Sequence, residues 1–491
     1  PKYNSDEKYS NIVVIDSGVS IENQHIKDWI LDQYQYVTDN DSDYDHGTIV
    51  ASLASFGPYL NPGLCSENEC LEIVDVQVLP KNDPETTLTE DRLIMRLDEA
   101  IPNIIKRYNS KIFNMSLGLK NRKCEDDSFS SLGILLDAIQ DEYNIIIVIP
   151  SGNNESIQKQ RTWPPLNNEH EYKLQVPGDS VRSLTVGAIA CRARSDSVVK
   201  KNEPASYSCS GPGPSYTIKP DLVHYSGNLS IIGEQADFSK QGIISINSEG
   251  KLIEDVGTSY SCPLVARSLA LLNHNLDNAS ITLLKALMVH GCKNPQAAIE
   301  HKDAIEYLGF GLPSDINESI KCNNHEITLI FEKEISPGYH LECPFHWPES
   351  LIENDKCYGE IEMTLVANVP LDANYGTEYI RANLTASLQR KRIDSKGNTK
   401  WSREIEEIIT TSDAKSLFES DLIQHTFKWN PIKKYYRKIK NGVKNNDWRF
   451  KVKLLLRDGV ELTEPIHFTL IFSIRDTEGI RPVYNEIVNG L

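Results

Sequence analysis

Residues 11–20 read NIVVIDSGVS, and the reading of this stretch decides the fold. Ile12 to Ile15 form an unbroken apolar run that ends at Asp16 and a Ser-Gly turn. A run this short and this rich in β-branched residues reads as a strand covered on both faces, since a strand with one wet face would alternate apolar and polar residues. Strands of that kind belong to parallel sheets, whose sites form at the carboxyl ends of strands. Asp16 stands at such an end.

Working outward, the same texture recurs in LEIVDVQVL (71–79), KIFNMSLG (111–118), YNIIIVIP (143–150) and SLTVGAIA (183–190). Between these runs, residues 89–108 and 130–143 carry apolar residues three and four apart, the spacing of helices with one buried face. Strand and helix in alternation predict an α/β domain, a parallel sheet flanked by helices, over residues 1–315. From about residue 320 the pattern changes. ITLIFEKEI, YGEIEMTLVANV, YIRANLTASLQR, WRFKVKLLLRDG and IHFTLIFSIRD alternate apolar and polar residues between turn signals, which predicts an all-β, jelly-roll-like sandwich over 320–491. The hinge falls in GFGLPSDINES, residues 309–319.

Composition narrows the function classes. With 69 acidic against 51 basic residues the net charge is −18, which argues against a nucleic-acid or anionic-membrane partner. No apolar run reaches the 18 residues of a membrane span, and PKYNSDEKYS at the start has no apolar signal core. The chain opens on Pro1 rather than Met, so a removed upstream segment is expected. Ten cysteines in 491 residues, with only Cys65 and Cys70 close together, favour a reducing, cytoplasmic setting over a disulfide framework; secretion after loss of an upstream segment is the alternative.

The chemistry turns on Ser259 in EDVGTSYSCPLV, residues 254–265. A serine ahead of an apolar run is also what a helix cap looks like. A serine hydroxyl becomes a nucleophile only when a neutral imidazole takes its proton and a buried carboxylate steadies that imidazole. Asp16 and, in DYDHGTIVASLAS (43–55), His46 supply the two groups. Asp45 rivals Asp16 as the orienting carboxylate, although adjacent side chains diverge.

In their order and local context, VVIDSGV, HGTIVAS and GTSYSCP resemble the three active-site signatures of the subtilases, the subtilisin-like serine proteases. FNMSLG (113–118) and PSGNN (150–154) resemble the family's substrate-holding and oxyanion segments, and KPDLV (219–223), ALMVHGC (286–292) and YLGFGLPS (307–314) its later segments. The resemblance implies a subtilisin-like fold and an endopeptidase acting on protein or peptide substrates through Asp16, His46 and Ser259. Asn153 would serve the oxyanion, with Asn154 as runner-up, and Ser116, Leu117, Gly118, Ser151 and Gly152 would bind substrate. No cofactor is expected; calcium is an alternative that no specific motif supports. Ile49 and Ser52 after HGT, and HYSG (224–227) after KPDLV, depart from the usual pattern, and Glu155–Tyr172 reads as an inserted loop beside the oxyanion segment.

HYSG and the lack of a secretion signal also resemble intracellular bacterial subtilases encoded beside AAA-type ATPases in defence loci, which implies an AAA ATPase partner. The competing class is a latent or inactive subtilase-fold scaffold. A sedolisin would carry Glu in place of His46, and Cys262 is expected to pack rather than react. Asp39, Asp41, Asp43 and Asp45 lack the glycine and distal Glu of a calcium loop, while Cys322, His325, His340, Cys343 and His346 have poor zinc spacing on strands, so no metal is expected. The basic segment at 429–453, WNPIKKYYRKIKNGVKNNDWRFKVK, reads either as a solvated hairpin or as a partner-binding surface of a regulatory module.

Overall fold

The computed structural model describes residues 1–64, 68–81, 89–118, 122–154, 156, 160–165, 172–294, 304–315, 323–394, 396–407 and 419–490. It divides into two compact units, one of residues 1–281 with 292–316 and the other of 282–291 with 317–491.

The first unit is built on a seven-stranded sheet. Its strands are β1 (Ser10–Asp16), β2 (Ile30–Gln35), β3 (Leu71–Gln77), β4 (Ile112–Met115), β5 (Ile146–Pro150), β6 (Leu184–Ala190) and β7 (Leu222–Ser226). They lie in the order β2-β3-β1-β4-β5-β6-β7, every pair parallel. Every residue of β5 and β6 is buried, the burial on both faces that unbroken apolar runs require. Edge strand β2 is half-exposed and mostly polar, and for that reason its sequence carried no strand signal.

Helices α1 (Asp45–Leu60), α2 (Glu90–Tyr108), α3 (Ser131–Tyr143) and α4 (Thr258–Asn275) flank this sheet. Leu93, Leu97 and Ile101 of α2, with Leu136 of α3, pack on Val13, Ile15, Phe113 and Ile147. Thr89 and Ser130 cap α2 and α3, each accepting from a backbone N–H in the first turn. α1 and α4 pack so closely that a Cβ on Gly57 would come within 2.7 Å of the Leu264 side chain. Two hairpins complete the unit: β8 (Ser230–Ile232) with β9 (Gln235–Asp237), and β10 (Ile243–Ile246) with β11 (Leu252–Asp255).

The second unit holds β12 (Glu326–Ile335), β13 (His340–Phe345), β14 (Ile352–Glu353), β15 (Lys356–Ala367), β16 (Ala382–Ile393), β17 (Thr399–Arg403), β18 (Glu406–Glu407), β19 (Ile432–Lys444), β20 (Trp448–Leu456) and β21 (Ile466–Arg475). One antiparallel sheet runs β12-β21-β15-β19-β18, with β14 on β15, and another runs β13-β20-β16-β17. Phe472 of β21 meets Phe345 of β13 and Phe450 of β20 at 5.1 and 4.7 Å between ring centroids, so the inner faces of the two sheets share a core.

Helix α5 (Ile281–His290) belongs with this second unit, whereas its sequence had been read as part of the first. Polar contacts tie its end to this unit. His290 Nδ1 lies 2.9 Å from Thr364 Oγ1 and Nε2 2.8 Å from Ser473 Oγ, while Lys434 Nζ donates to the carbonyls of Val289 and His290, both at 3.1 Å. Lys434 thus satisfies carbonyls that the end of a helix leaves open. An apolar periodicity shows that a helix is covered without showing by which sheet.

The basic segment also departs from its reading as a hairpin, because β19 and β20 lie in different sheets. Nor is it a free basic surface. Lys433 and Lys434 are buried, and Lys434, Arg437 and Lys438 are paired with Glu362, Glu404 and Glu360. Acidic residues distant in sequence answer these three cations.

Candidate active site

β1 ends at Asp16, which is fully buried, and the turn after it packs on the start of α1. Gly47 allows this approach, since a Cβ there would lie 2.3 Å from the Gly18 carbonyl oxygen. Ser17 Oγ accepts from Gly47 N at 3.0 Å and ties turn to helix. His46, in the first turn of α1, thereby points its Nδ1 at Asp16 Oδ1, 2.7 Å away. Asp16 Oδ1 also accepts from Ser17 N at 2.7 Å. A buried carboxylate can only accept here, so Nδ1 carries the proton and Nε2 is left as the basic nitrogen.

The His46 imidazole is raised above its ordinary value: burial pulls it down, but the charge and hydrogen bond of Asp16, with Asp255 and Asp43 behind it, outweigh that. Asp45 takes no part in holding the ring. Its Oδ1 accepts from Ser248 N and Oγ at 3.0 and 2.6 Å.

Ser259 is not a cap. Helix α4 begins at Thr258, and the residue before it, Gly257, has φ of +154°, a conformation that favours glycine. Ser259 is therefore the second residue of the helix. Its Oγ donates to Ser116 O at 3.5 Å, its carbonyl accepts from Ser116 Oγ at 2.9 Å, and no hydrogen bond joins it to His46 among the described residues. Tyr260 follows, with its ring 5.7 Å from that of His46 and its hydroxyl donating to Asp255 Oδ2 at 2.5 Å. Cys262 is fully buried, and burial pushes its thiol well above the ordinary range, which keeps it protonated.

Asn153 follows β5, and its Oδ1 accepts from both Thr258 N (2.9 Å) and Thr258 Oγ1 (3.0 Å). With the oxygen held there, the amide nitrogen lies near Gly257, 3.7 Å from where a Cβ on that glycine would sit. Asn154 is turned elsewhere, its Oδ1 accepting from Ser156 N at 3.0 Å. Ser116, Leu117 and Gly118 directly follow β4; the Leu117 side chain enters the core, and Gly118 is exposed. Ser151 and Gly152 continue β5, with Ser151 N bonded to Val186 O at 2.9 Å and Gly152 O accepting from Cys209 N at 3.0 Å. These nine residues thus come from segments that meet at the carboxyl ends of β1, β4 and β5.

A model of the subtilase family matches residues 8–309. The chain belongs to the subtilase family. It is 27% identical over 307 residues to the uncharacterized protein y4bN of Sinorhizobium fredii, covering 56% of this chain and 71% of that protein. Among solved structures it is similar to a cold adapted subtilisin-like serine proteinase, with 20% identity, coverage of 58% of this chain and 84% of that one, and a TM-score of 0.39. It is also similar to the prenylagaramide maturation protease PagA, with 18% identity, 64% and 94% coverage, and a TM-score of 0.44. The subtilase is a serine protease.

Several residues that hold this site had no motif of their own. Ser226, in HYSG, accepts from Tyr207 Oη at 3.0 Å and from Gly257 N at 3.3 Å, and donates to Gly257 O at 2.7 Å, fixing the backbone just ahead of Ser259. Thr258 and Asp255 lie inside the quoted stretch at 254–265, yet their partners come from other elements. His224, also in HYSG, is buried and pushed down to about 3 by burial, hence uncharged.

The inserted loop is anchored by Arg161, whose guanidinium stands 4.6 Å from the Tyr172 ring centroid and 4.4 Å from that of Tyr307. Residues 155, 157–159 and 166–171 of that loop lie outside the described residues, as do Cys65 and Cys322. Of the residues weighed for zinc, His325 Nδ1 pairs with Arg481 O, His340 with Glu342 and Cys343 Sγ with Pro344 O.

Proposed function

We propose that the subtilase cleaves internal peptide bonds through an acyl-enzyme, with Asp16, His46 and Ser259 as its triad and Asn153 as oxyanion donor. The observation that carries this reading is the 2.7 Å contact of buried Asp16 with His46 Nδ1, with the His46 ring 5.7 Å from that of Tyr260, the residue after Ser259 on the first turn of α4. Ser259 Oγ turns from Ser116 O toward His46 Nε2, gives up its proton there and attacks the carbonyl carbon. Asp16 steadies the imidazolium that forms. The tetrahedral oxygen receives hydrogen bonds from the Asn153 side-chain amide and from Ser259 N–H, both set in place before the charge develops. His46 returns its proton to the leaving amine, and water repeats the sequence on the ester. Protons and electron pairs balance within these side chains, so the reaction as proposed draws on no cofactor.

Ser116–Gly118 binds the substrate backbone as an added strand, since Leu117 and Gly118 make no main-chain hydrogen bond among the described residues. An AAA-type ATPase partner, a place in a bacterial defence system and a cytoplasmic setting belong to the reading on the strength of the sequence resemblance. Affinity capture of the full chain from its host, with identification of what it holds, tests them.

The triad is tested by Ser259→Ala and His46→Ala. Each should lower turnover of peptide substrate on the order of 10⁶-fold and abolish fluorophosphonate labelling, with the double variant scarcely worse because triad members act as a unit. Hydrolysis that survives in purified Ser259→Ala would remove Ser259 from the mechanism.

A further inference from the structure

The two backbone runs beside Ser259 leave a slot between them, and the side chain that fills it belongs to no motif. Ser116–Gly118 continues β4 and Ser151–Asn153 continues β5, and these strands are hydrogen-bonded neighbours. Both runs reach the start of α4, one through Ser116 Oγ to Ser259 O at 2.9 Å and the other through Asn153 Oδ1, which accepts from Thr258 N at 2.9 Å. A Cβ built on Gly152 would come within 2.7 Å of Cβ, Cγ and Oε1 of Gln175, and one built on Gly118 would lie 3.9 Å from the same Oε1. One amide therefore occupies the space between two glycines. It is pinned there: Gln175 Nε2 donates to Asn153 O at 2.8 Å, Asn153 N donates to Gln175 Oε1 at 3.3 Å, and Gln175 N donates to Ser151 O at 3.0 Å.

We propose that Gln175 is a specificity-determining residue, closing the slot between Gly118 and Gly152 so that the residue supplying the scissile carbonyl must be small: glycine, alanine or serine. This rests on the triad reading above and names its substrate class. A peptide lying along Ser116–Gly118, with its carbonyl carbon at Ser259 Oγ and its oxygen at the Asn153 amide, directs the side chain of that residue between the two runs. A methyl or hydroxymethyl group can rest against the Gln175 amide. A leucine or phenylalanine side chain can enter only if the amide leaves, which breaks both of its hydrogen bonds and strips the Asn153 main chain of its partners. The cost therefore falls on large substrates alone, and it falls beside the oxyanion donor.

The test measures kcat/KM on matched peptide amides that differ only in the residue before the cleaved bond, alanine, leucine or phenylalanine. The full chain is compared with Gln175→Ala and Gln175→Gly. The unaltered protein should favour alanine over phenylalanine by ~10-fold or more, and the glycine variant should shift that ratio toward phenylalanine by ~10–200-fold, mainly through KM. Because the ratio compares two substrates on one protein, a general loss of activity through Asn153 cancels. Preference of the unaltered protein for phenylalanine or leucine overturns the proposal whether or not the variants fold. An unchanged ratio in folded variants overturns it too. Fluorophosphonate labelling separates the two levels: a labelled Ser259 with an unchanged ratio sinks the role of Gln175 alone, and an unlabelled Ser259 in the unaltered protein sinks the triad reading and this inference with it.

Discussion

Asp75 in the first unit and Glu404 in the second are both buried carboxylates, and they titrate in opposite directions. Asp75 is fully buried on β3, and burial pushes it up to about 7; the N–H of Val19 and the amide of Gln33 offset this only in part, and the charge of Asp16 adds to it. Glu404 is 3% exposed, yet the Ser402 hydroxyl and the guanidinium groups of Arg392, Arg437 and Arg390 overcome its burial and hold it at about 2. One carboxyl sits on a strand neighbouring β1, beside the Asp16 charge, with no ion pair among the described residues. The other is the hub of an ion-pair cluster. Burial alone therefore does not set the direction of the shift; the number of hydrogen bonds and cations that answer each carboxylate does.

Removing the hub should have the largest effect on stability. Glu404→Ala leaves Arg390 buried without its carboxylate and should destabilise the second unit by about 3–5 kcal/mol in denaturant unfolding. A loss below about 1 kcal/mol would mean that the cluster only breaks even with its own desolvation. In the first unit the cost should appear in rate. Asn153→Ala should lower turnover by ~10²–10³-fold, a magnitude drawn from a subtilisin, with little change in KM or melting temperature, while Asn154→Ala does much less. Reversal of these two effects would move the oxyanion donor by one residue.

The smallest effect is expected at Asp75, and its sign depends on pH. Between its ordinary 3.8 and about 7 the folded protein keeps a proton that the unfolded chain has released, so Asp75 costs stability as pH rises through that window. Asp75→Asn should remove this slope and stabilise the protein at pH 8, with little change at pH 4. Glu404 behaves in the opposite sense. Its contribution is present above its ordinary 4.5 and is lost as pH falls toward about 2. Melting temperatures across pH for both variants would sharpen the contrast, and parallel slopes would break it.

The sequence alone determined the parallel sheet, because strands buried on both faces must be apolar along their whole length. It marked Asp16, His46, Ser259 and Asn153 as candidates for acyl chemistry, because each lies in a short local motif. It also marked the alternating strands of the second unit. Tertiary structure decided what depends on partners distant in the chain. Helix α5 went to the second unit because Thr364, Ser473 and Lys434 meet it there. Part of the basic run became a paired strand because Glu360 and Glu362 of the neighbouring β15, with Glu404, lie against it. Gln175 came to fill the slot beside Ser259 because two glycines, 34 residues apart in the chain, left room for one side chain between them. Periodicity and motif record what a residue can be; how much charge is answered and how much space remains is set by which surfaces fold together.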